Sequence, residues 1–216
     1  GNANNEIIKE CKTKYLLILN PDTVLNKSCE SELLKSINKK NLDFSIIAPL
    51  SQDKNFGFIT KDLELKKRGI FETNYVKGFA LLIDLKIIKK IGMFDKNIFL
   101  YFEEIDLCKR LSENNYKIYV NSKAKIFHKA AKSSNIGFEF EKCRHWHWMW
   151  SSVYYKKKYS NYLEVLINFV PLVFTSLLKM MFYTFIFQKK KIVINYMRFS
   201  GTLNALVGKN SWYRPN

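Results

Sequence analysis

Short apolar runs separated by polar, turn-rich stretches organise the first two thirds of the chain. Tyr15–Asn20 (YLLILN) is continuously apolar up to its last residue. A run of this length without alternation predicts a strand buried on both faces, the pattern of a parallel sheet. Pro21-Asp22-Thr23 follows as a turn, and Ser28 is placed to cap a helix with Leu33, Leu34 and Ile37 on one face. Phe44–Pro49 (FSIIAP) reads as a second strand; strand, helix and strand at this spacing predict a βαβ unit. Residues 51–75 are polar and aperiodic and predict a long loop. Beyond Gly78, Phe79–Asp84 (FALLID) predicts a third strand, and Ile87, Ile88 and Ile91 a short helix that ends at Gly92. A further helix is predicted over Glu103–Asn114, closed by an Asn pair suited to a left-handed cap. Two β-rich stretches follow, YKIYV (116–120) and AKIFH (124–128), and then an aromatic-crowded helix over Glu139–Tyr159.

The pattern changes in the last quarter. Val165–Phe187 carries a single charge, Lys179, in 23 residues, with Lys156–Lys158 upstream and Lys189–Lys191 downstream. The length is enough to cross a bilayer. Asn168, Pro171 and Lys179 interrupt the run, and basic clusters at both ends give no orientation. A single span, a helix pair lying in the membrane interface and a helical hairpin packed on the soluble part all fit. The flanking lysines favour membrane contact. The pattern thus divides the chain into an α/β region, residues 1–159, and a basic, apolar, helical region, residues 160–216.

Composition sharpens this division. With 47% hydrophobic and 25% charged residues, the 216-residue chain is neither disordered nor fibrous. Its formal net charge of +17 calls for an anionic partner. Residues 151–216 hold ten basic residues and one acidic one, so the most basic part of the chain is also the most apolar. That combination points to an anionic lipid surface; a nucleic-acid partner is set aside because no binding motif accompanies the charge. Cys11, Cys29, Cys108 and Cys143 are scattered and form no CxxC pair, which excludes zinc ribbons and thioredoxin-like sites and fits a reducing cytosol. The first residues, GNANN, contain neither an initiator Met nor a signal peptide, so the segment is expected to begin inside a longer protein.

Three features carry chemistry. Asp22 follows the apolar run YLLILN, and ligands of open α/β sheets bind beyond the carboxyl ends of strands. A carboxylate there suits a hard divalent cation bridging to substrate phosphates, or else an Asx turn after Pro21. Glu103, Glu104 and Asp106 fall in the first turn of the predicted helix, where acids also complement the macrodipole. Glu104 shares a face with Leu107, Cys108 and Leu111, whereas Glu103 shares one with Asp106 and Arg110. Glu104 therefore continues the buried stripe, and desolvation should raise its pKa towards general-base values. Asp106 and Arg110 form an i,i+4 ion pair on a more polar side. His128 ends a strand as Asp22 does, with Lys129, Lys132, Ser133 and Ser134 behind it, which suits a metal-plus-diphosphate site. His145 and His147, two apart on a helix, cannot share an ion and read as packing residues.

NPDT after an apolar strand, KGFALLID, GMFDKNIFLYFEEIDLCKRL and YKIYVNSKAKIFHKAAKSS, in this order, resemble the family 2 glycosyltransferases, in particular their rhamnosyltransferase-like branch. The resemblance covers about residues 1–160. It implies a GT-A fold with a mostly parallel sheet flanked by helices, a nucleotide-diphosphate sugar donor, a saccharide or lipid-linked saccharide acceptor, a divalent cation (Mg2+ or Mn2+) and inverting transfer, with rhamnose among the candidate sugars. It implies work in surface polysaccharide synthesis at the cytoplasmic face of a bacterial inner membrane. By the same resemblance Asp22 and His128 contact the metal and diphosphate, Glu104 is the base, and Gly78, Glu103 and Asp106 line the sugar and acceptor site. Asn20 stands where the family's pattern has a further acid, and Glu-Glu stands for its Glu-Asp. The family's first strand, base-binding loop and second βα unit have no counterpart in this segment. An inactive glycosyltransferase-like fragment serving as a membrane-bound partner is the alternative expectation.

Overall fold

The computed structural model describes residues 1–51, 68–128 and 137–214. The chain divides into two compact units, one of residues 1–95 and 103–134 and one of residues 96–102 and 135–216.

The first unit runs α1 (Asn2–Glu10), β1 (Tyr15–Leu19), β2 (Thr23–Leu25), α2 (Cys29–Ile37), β3 (Ile46–Ser51), β4 (Ile70–Thr73), β5 (Ala80–Asp84), α3 (Leu85–Lys90), α4 (Glu103–Glu113) and β6 (Ile118–His128). The strands form one sheet in the order β1-β5-β3-β6-β2, with β4 also on β6. Only β3 and β6 pair in parallel among the described strands; β1–β5, β3–β5, β2–β6 and β4–β6 are antiparallel. The expected mostly parallel sheet is therefore corrected to a mixed α/β sheet. What the apolar runs encode is burial on both faces, and that does not require parallel neighbours. Along β5, Leu81 and Ile83 join Ile88, Leu107 and Leu111 in one core, while Ala80 and Leu82 join Cys29, Leu33 and Phe44 in the other. The strand-helix-strand passage from β1 to β3 keeps its direction, but β5 lies between the two, antiparallel to both.

Several local details also differ from the pattern. The two β-rich stretches are one strand, β6, whose register against β3 jumps between Pro49 (opposite Asn121) and Leu50 (opposite Lys125). That irregularity absorbs the polar residues which interrupt the sequence pattern. Helix α2 buries Cys29, Leu33 and Ser36 and leaves Leu34 exposed, and the Ser28 side chain makes no capping bond among the described residues. The polar stretch contains β4; residues 52–67 lie outside the described residues, as do Lys129, Lys132, Ser133 and Ser134. Gly92 (φ 93°) and Asn115 (φ 60°) supply the left-handed ends of α3 and α4.

The second unit packs α5 (Phe138–Tyr159), α6 (Tyr162–Phe185) and α7 (Lys189–Leu206). Trp146, Trp150 and Val153 of α5 share a core with Val165, Met197, Ala205 and Leu206. The aromatic stripe of α5 thus packs with α6 and α7 within this helical unit. A Cβ at Gly201 would overlap the Trp146 carbonyl oxygen, so α5 and α7 cross where only glycine fits. His147, buried, bonds through Nε2 to the Tyr213 carbonyl (2.8 Å) and through Nδ1 to Ser211 (3.2 Å).

Candidate active site

The turn after β1 is tied to the strand beside it. Asn20 N–H donates to the Phe79 carbonyl (2.9 Å), and Thr23 Oγ1 donates to the same oxygen (3.1 Å). Thr23 N–H donates to Asn20 O (3.0 Å), which closes the NPDT turn and holds Asp22 within it. Thr23 is also the register partner of His128. Asp22 is therefore one residue from the position that faces His128 across the β2–β6 ladder. Of His128 only the backbone is described.

Gly78 precedes Phe79 and links this turn to the acid-bearing helix. A Cβ at Gly78 would stand 3.4 Å from Glu104 Cβ and 3.6 Å from its carboxyl carbon. Gly78 thus lies against the Glu104 side chain, and any larger residue there would pack on its carboxyl group. A chain of contacts thus runs from the His128 backbone to Thr23, from Thr23 to the Phe79 carbonyl, and from the adjacent Gly78 to Glu104.

Glu104 stands where the stripe places it, half-buried above the buried Leu107, Cys108 and Leu111 of α4. Burial, reinforced by the neighbouring Glu103 carboxylate, pushes its carboxyl up to about 7; the Tyr75 hydroxyl and Lys77 pull the other way. Tyr75 Oη donates to Glu104 Oε1 at 3.1 Å. Burial and the adjacent carboxylate raise the Tyr75 phenol above its ordinary range, so it remains a donor. Thr73 holds Tyr75 in place from both sides of its backbone: its Oγ1 donates to Tyr75 O (3.1 Å) and accepts from Tyr75 N–H (3.4 Å). Glu103 is half-buried, its carboxyl also raised by burial, and its Oε2 is enclosed without a hydrogen-bond partner among the described residues. A buried acceptor without a donor is a place for an incoming hydroxyl.

Asp106 sits differently. It is fully buried, and Arg110 binds it through Nε (2.8 Å) while donating to Ile91 O (2.7 Å) and Met93 O (2.6 Å). The i,i+4 ion pair is present, but on a buried side rather than a polar one. It fastens α4 to the end of α3 and gives Asp106 a structural partner.

Two local features escape the sequence pattern. Tyr75 lies in the aperiodic stretch read as loop. Tyr101 and Phe102, just before Glu103, both take left-handed backbone (φ 63° and 71°), a conformation uncommon for bulky residues that clusters at functional sites. The run FLYFEE gives no signal of it.

A divalent cation finds only a partial set of protein ligands here. Among the described residues no group of three or more His, Cys, Asp or Glu could hold one. Asp22 offers the hard carboxylate oxygen such ions take, and substrate phosphates complete that kind of shell. The described residues thus fit an ion carried in with a diphosphate.

No family model matches the chain. It is 24% identical over 127 residues to the low-salt glycan biosynthesis hexosyltransferase Agl10 of Haloferax volcanii, covering 51% of this chain and 41% of that protein. It is 24% identical over 176 residues to the rhamnosyltransferase WbbL of Escherichia coli K12, covering 68% of this chain and 66% of that protein. The chain thus spans less than two thirds of the length of either relative. Among solved structures, GalNAc-T7 with UDP, GalNAc and Mn2+ superposes with a TM-score of 0.47 at 10% identity, covering 70% of this chain and 37% of that one. Through its sequence relatives, the chain is akin to the glycosyltransferases.

Proposed function

We propose that this chain carries the acceptor-activating part of an inverting, family 2 type, GT-A glycosyltransferase. Its reaction moves a hexosyl group, with rhamnose a candidate, from a nucleotide-diphosphate sugar to a saccharide hydroxyl. The observation that carries the reading is the Glu104 carboxyl. Burial pushes it up to about 7, Tyr75 donates to it, Gly78 lies against it, and Gly78 adjoins the Phe79 carbonyl that ties down the Asn20–Thr23 turn.

The chemistry follows from these positions. A base with a pKa near 7 is both substantially ionised and a competent proton acceptor at neutral pH. Glu104 takes the proton of the acceptor hydroxyl. The hydroxyl oxygen forms its bond to the anomeric carbon as the bond to the diphosphate oxygen breaks, and that electron pair leaves with the nucleoside diphosphate. One displacement inverts the configuration. Glu103 Oε2 accepts a hydrogen bond from a sugar hydroxyl, and Asp22 and His128 face the diphosphate. A Mg2+ or Mn2+ ion bound there would offset the charge of the leaving group.

The exposed apolar helix α6 and the basic tail support work at a membrane surface on a lipid-linked acceptor. The unpaired cysteines fit the cytoplasmic face of a bacterial inner membrane.

Titration calorimetry with UDP- and dTDP-sugars plus Mn2+ tests the reading, together with transfer assays on Glu104→Gln. Donor binding retained by the variant with transfer abolished is expected. Absence of any donor heat would make the chain a non-catalytic relative.

A further inference from the structure

We propose that α6 lies in the plane of an anionic membrane as a half-embedded helix, with the exposed side chains of the α6–α7 corner at the same depth, and does not cross the bilayer. This rests on the membrane-surface reading above and says how that surface is met.

The first observation is how α6 divides its faces. Val165 and Ser176 are buried, and Leu166, Phe169 and Val173 pack on the helical core. Leu163, Ile167, Phe174, Leu178, Met181 and Phe185 are exposed, Phe185 by 79%. At about 100° per residue these six occupy an arc of roughly 60°, a stripe that runs the whole helix; Phe182 widens it on one side, and Tyr162 and Leu172 are exposed outside it. Asn168, Thr175 and Lys179, also exposed, form a polar line along one side of that stripe. A helix that crosses lipid is apolar around its circumference, whereas an apolar stripe with a polar border along its length belongs to a helix lying in the interface.

The second observation is the corner after α6. Phe187 adopts a left-handed backbone (φ 55°) and is 86% exposed. Glycine or asparagine ordinarily fills such a position. A phenylalanine there combines backbone strain with apolar exposure, and insertion into lipid removes the second of these. Phe182, Phe185 and Ile186 crowd the same corner.

The third observation separates the two lysine clusters that the sequence presents alike. Lys156 pairs with Glu164, Lys157 donates to the Ala205 and Leu206 carbonyls (3.0 and 3.3 Å), and Lys158 lies over the Tyr159 ring (5.6 Å). That cluster serves the fold. Lys189, Lys190 and Lys191 are exposed in the first turn of α7, with no acidic residue beside them in that turn. Cations at a helix N-terminus oppose its macrodipole, so this cluster is a burden to the fold that lipid phosphates would relieve. Lys191 sits over Tyr183 at 5.1 Å, which fixes the cluster at the aromatic corner. Helix α7 follows α6 after three residues and packs against it. A crossing α6 would instead carry Asn168 and Lys179 of its exposed polar line into the hydrocarbon, which is costly.

The test uses the full chain. Flotation with phosphatidylcholine vesicles, with and without phosphatidylglycerol, measures binding. Nitroxides at Leu163→Cys, Phe174→Cys and Phe185→Cys, each with Cys11→Ser, measure depth by power saturation. Cys29, Cys108 and Cys143 are buried and remain unlabelled. The three labelled sites are about 16 Å apart along the helix axis. Binding that requires phosphatidylglycerol, falls about fivefold per Lys→Gln change at 189–191, and shows equal depth at all three sites is the expected result. A label at 174 much deeper than at 163 and 185 would overturn the in-plane helix while keeping the membrane surface. Equal binding to both vesicles would overturn the anionic-headgroup assignment, and no binding to either would remove the membrane reading altogether. Leu178→Asp, on the exposed stripe and away from the core, is expected to abolish flotation with an unchanged circular dichroism spectrum.

Discussion

Replacing Glu104 by Gln should make the protein more stable, and only above the acid range. In the folded chain burial raises the Glu104 carboxyl from 4.5 to about 7. A raised carboxyl pKa means that the folded state binds the proton more tightly than the unfolded one. The resulting stabilisation is complete below pH 4.5 and is lost as pH rises through about 7. At 1.36 kcal/mol per unit, the shift corresponds to about 3 kcal/mol. Glu103, raised in the same direction by burial, adds to the same slope. The substituted glutamine would stay neutral at every pH, its amide oxygen still able to accept from Tyr75 and its amide nitrogen able to donate towards Glu103. Wild type and variant should therefore match below about pH 4.5, with the variant about 3 kcal/mol more stable above about pH 7. Amide exchange of the β5 residues Ala80–Asp84, corrected for intrinsic rates, reads the unit that holds Glu104. Tryptophan fluorescence does not, because Trp146, Trp148, Trp150 and Trp212 all lie in the helical unit. A stability difference independent of pH would refute the reasoning, for Glu104 would then not be a desolvated carboxyl.

Tyr75→Phe removes a hydrogen bond to an ionised carboxylate, worth about 1.5–3 kcal/mol, and should raise the Glu104 midpoint above about 7 by about one unit. Side-chain carbon NMR of Glu104 measures it, and an unmoved midpoint would show that the pair does not act together. Arg110→Ala breaks the buried ion pair with Asp106 and should cost the first unit about 3–5 kcal/mol in urea unfolding; adding Asp106→Ala should restore part of that loss. Gly201→Ala forces a methyl group against the Trp146 carbonyl and should destabilise the helical unit by about 1–3 kcal/mol. Its thermal transition by tryptophan fluorescence should fall, with β5 amide exchange unchanged.

How far the pattern along the chain reaches into this molecule depends on which physical quantity each signal encodes. Periodicity reports burial, and where burial is the question it succeeds. The i+3, i+4 and i+7 relation to Leu107, Cys108 and Leu111 puts Glu104 at the edge of the core before any coordinates, and with it the raised pKa. FALLID and YLLILN likewise identify β5 and β1. Strand direction is not encoded in burial: a sheet covered on both faces needs the same apolar runs whether its neighbours are parallel or antiparallel. The burial of Asp106 escapes the pattern for a related reason, since a buried ion pair with Arg110 has the same spacing as an exposed one. Tyr75 is out of reach because a single hydroxyl donated to a carboxylate from a separate segment leaves no periodic trace. The lysine clusters show the same limit from the charge side. Composition counts Lys156–Lys158 and Lys189–Lys191 as equal, and only the fold shows that the first is consumed by helix ends and ion pairs while the second faces outward beside exposed phenylalanines. A charge count becomes a statement about partners only once the charges already used to hold the fold together have been set aside.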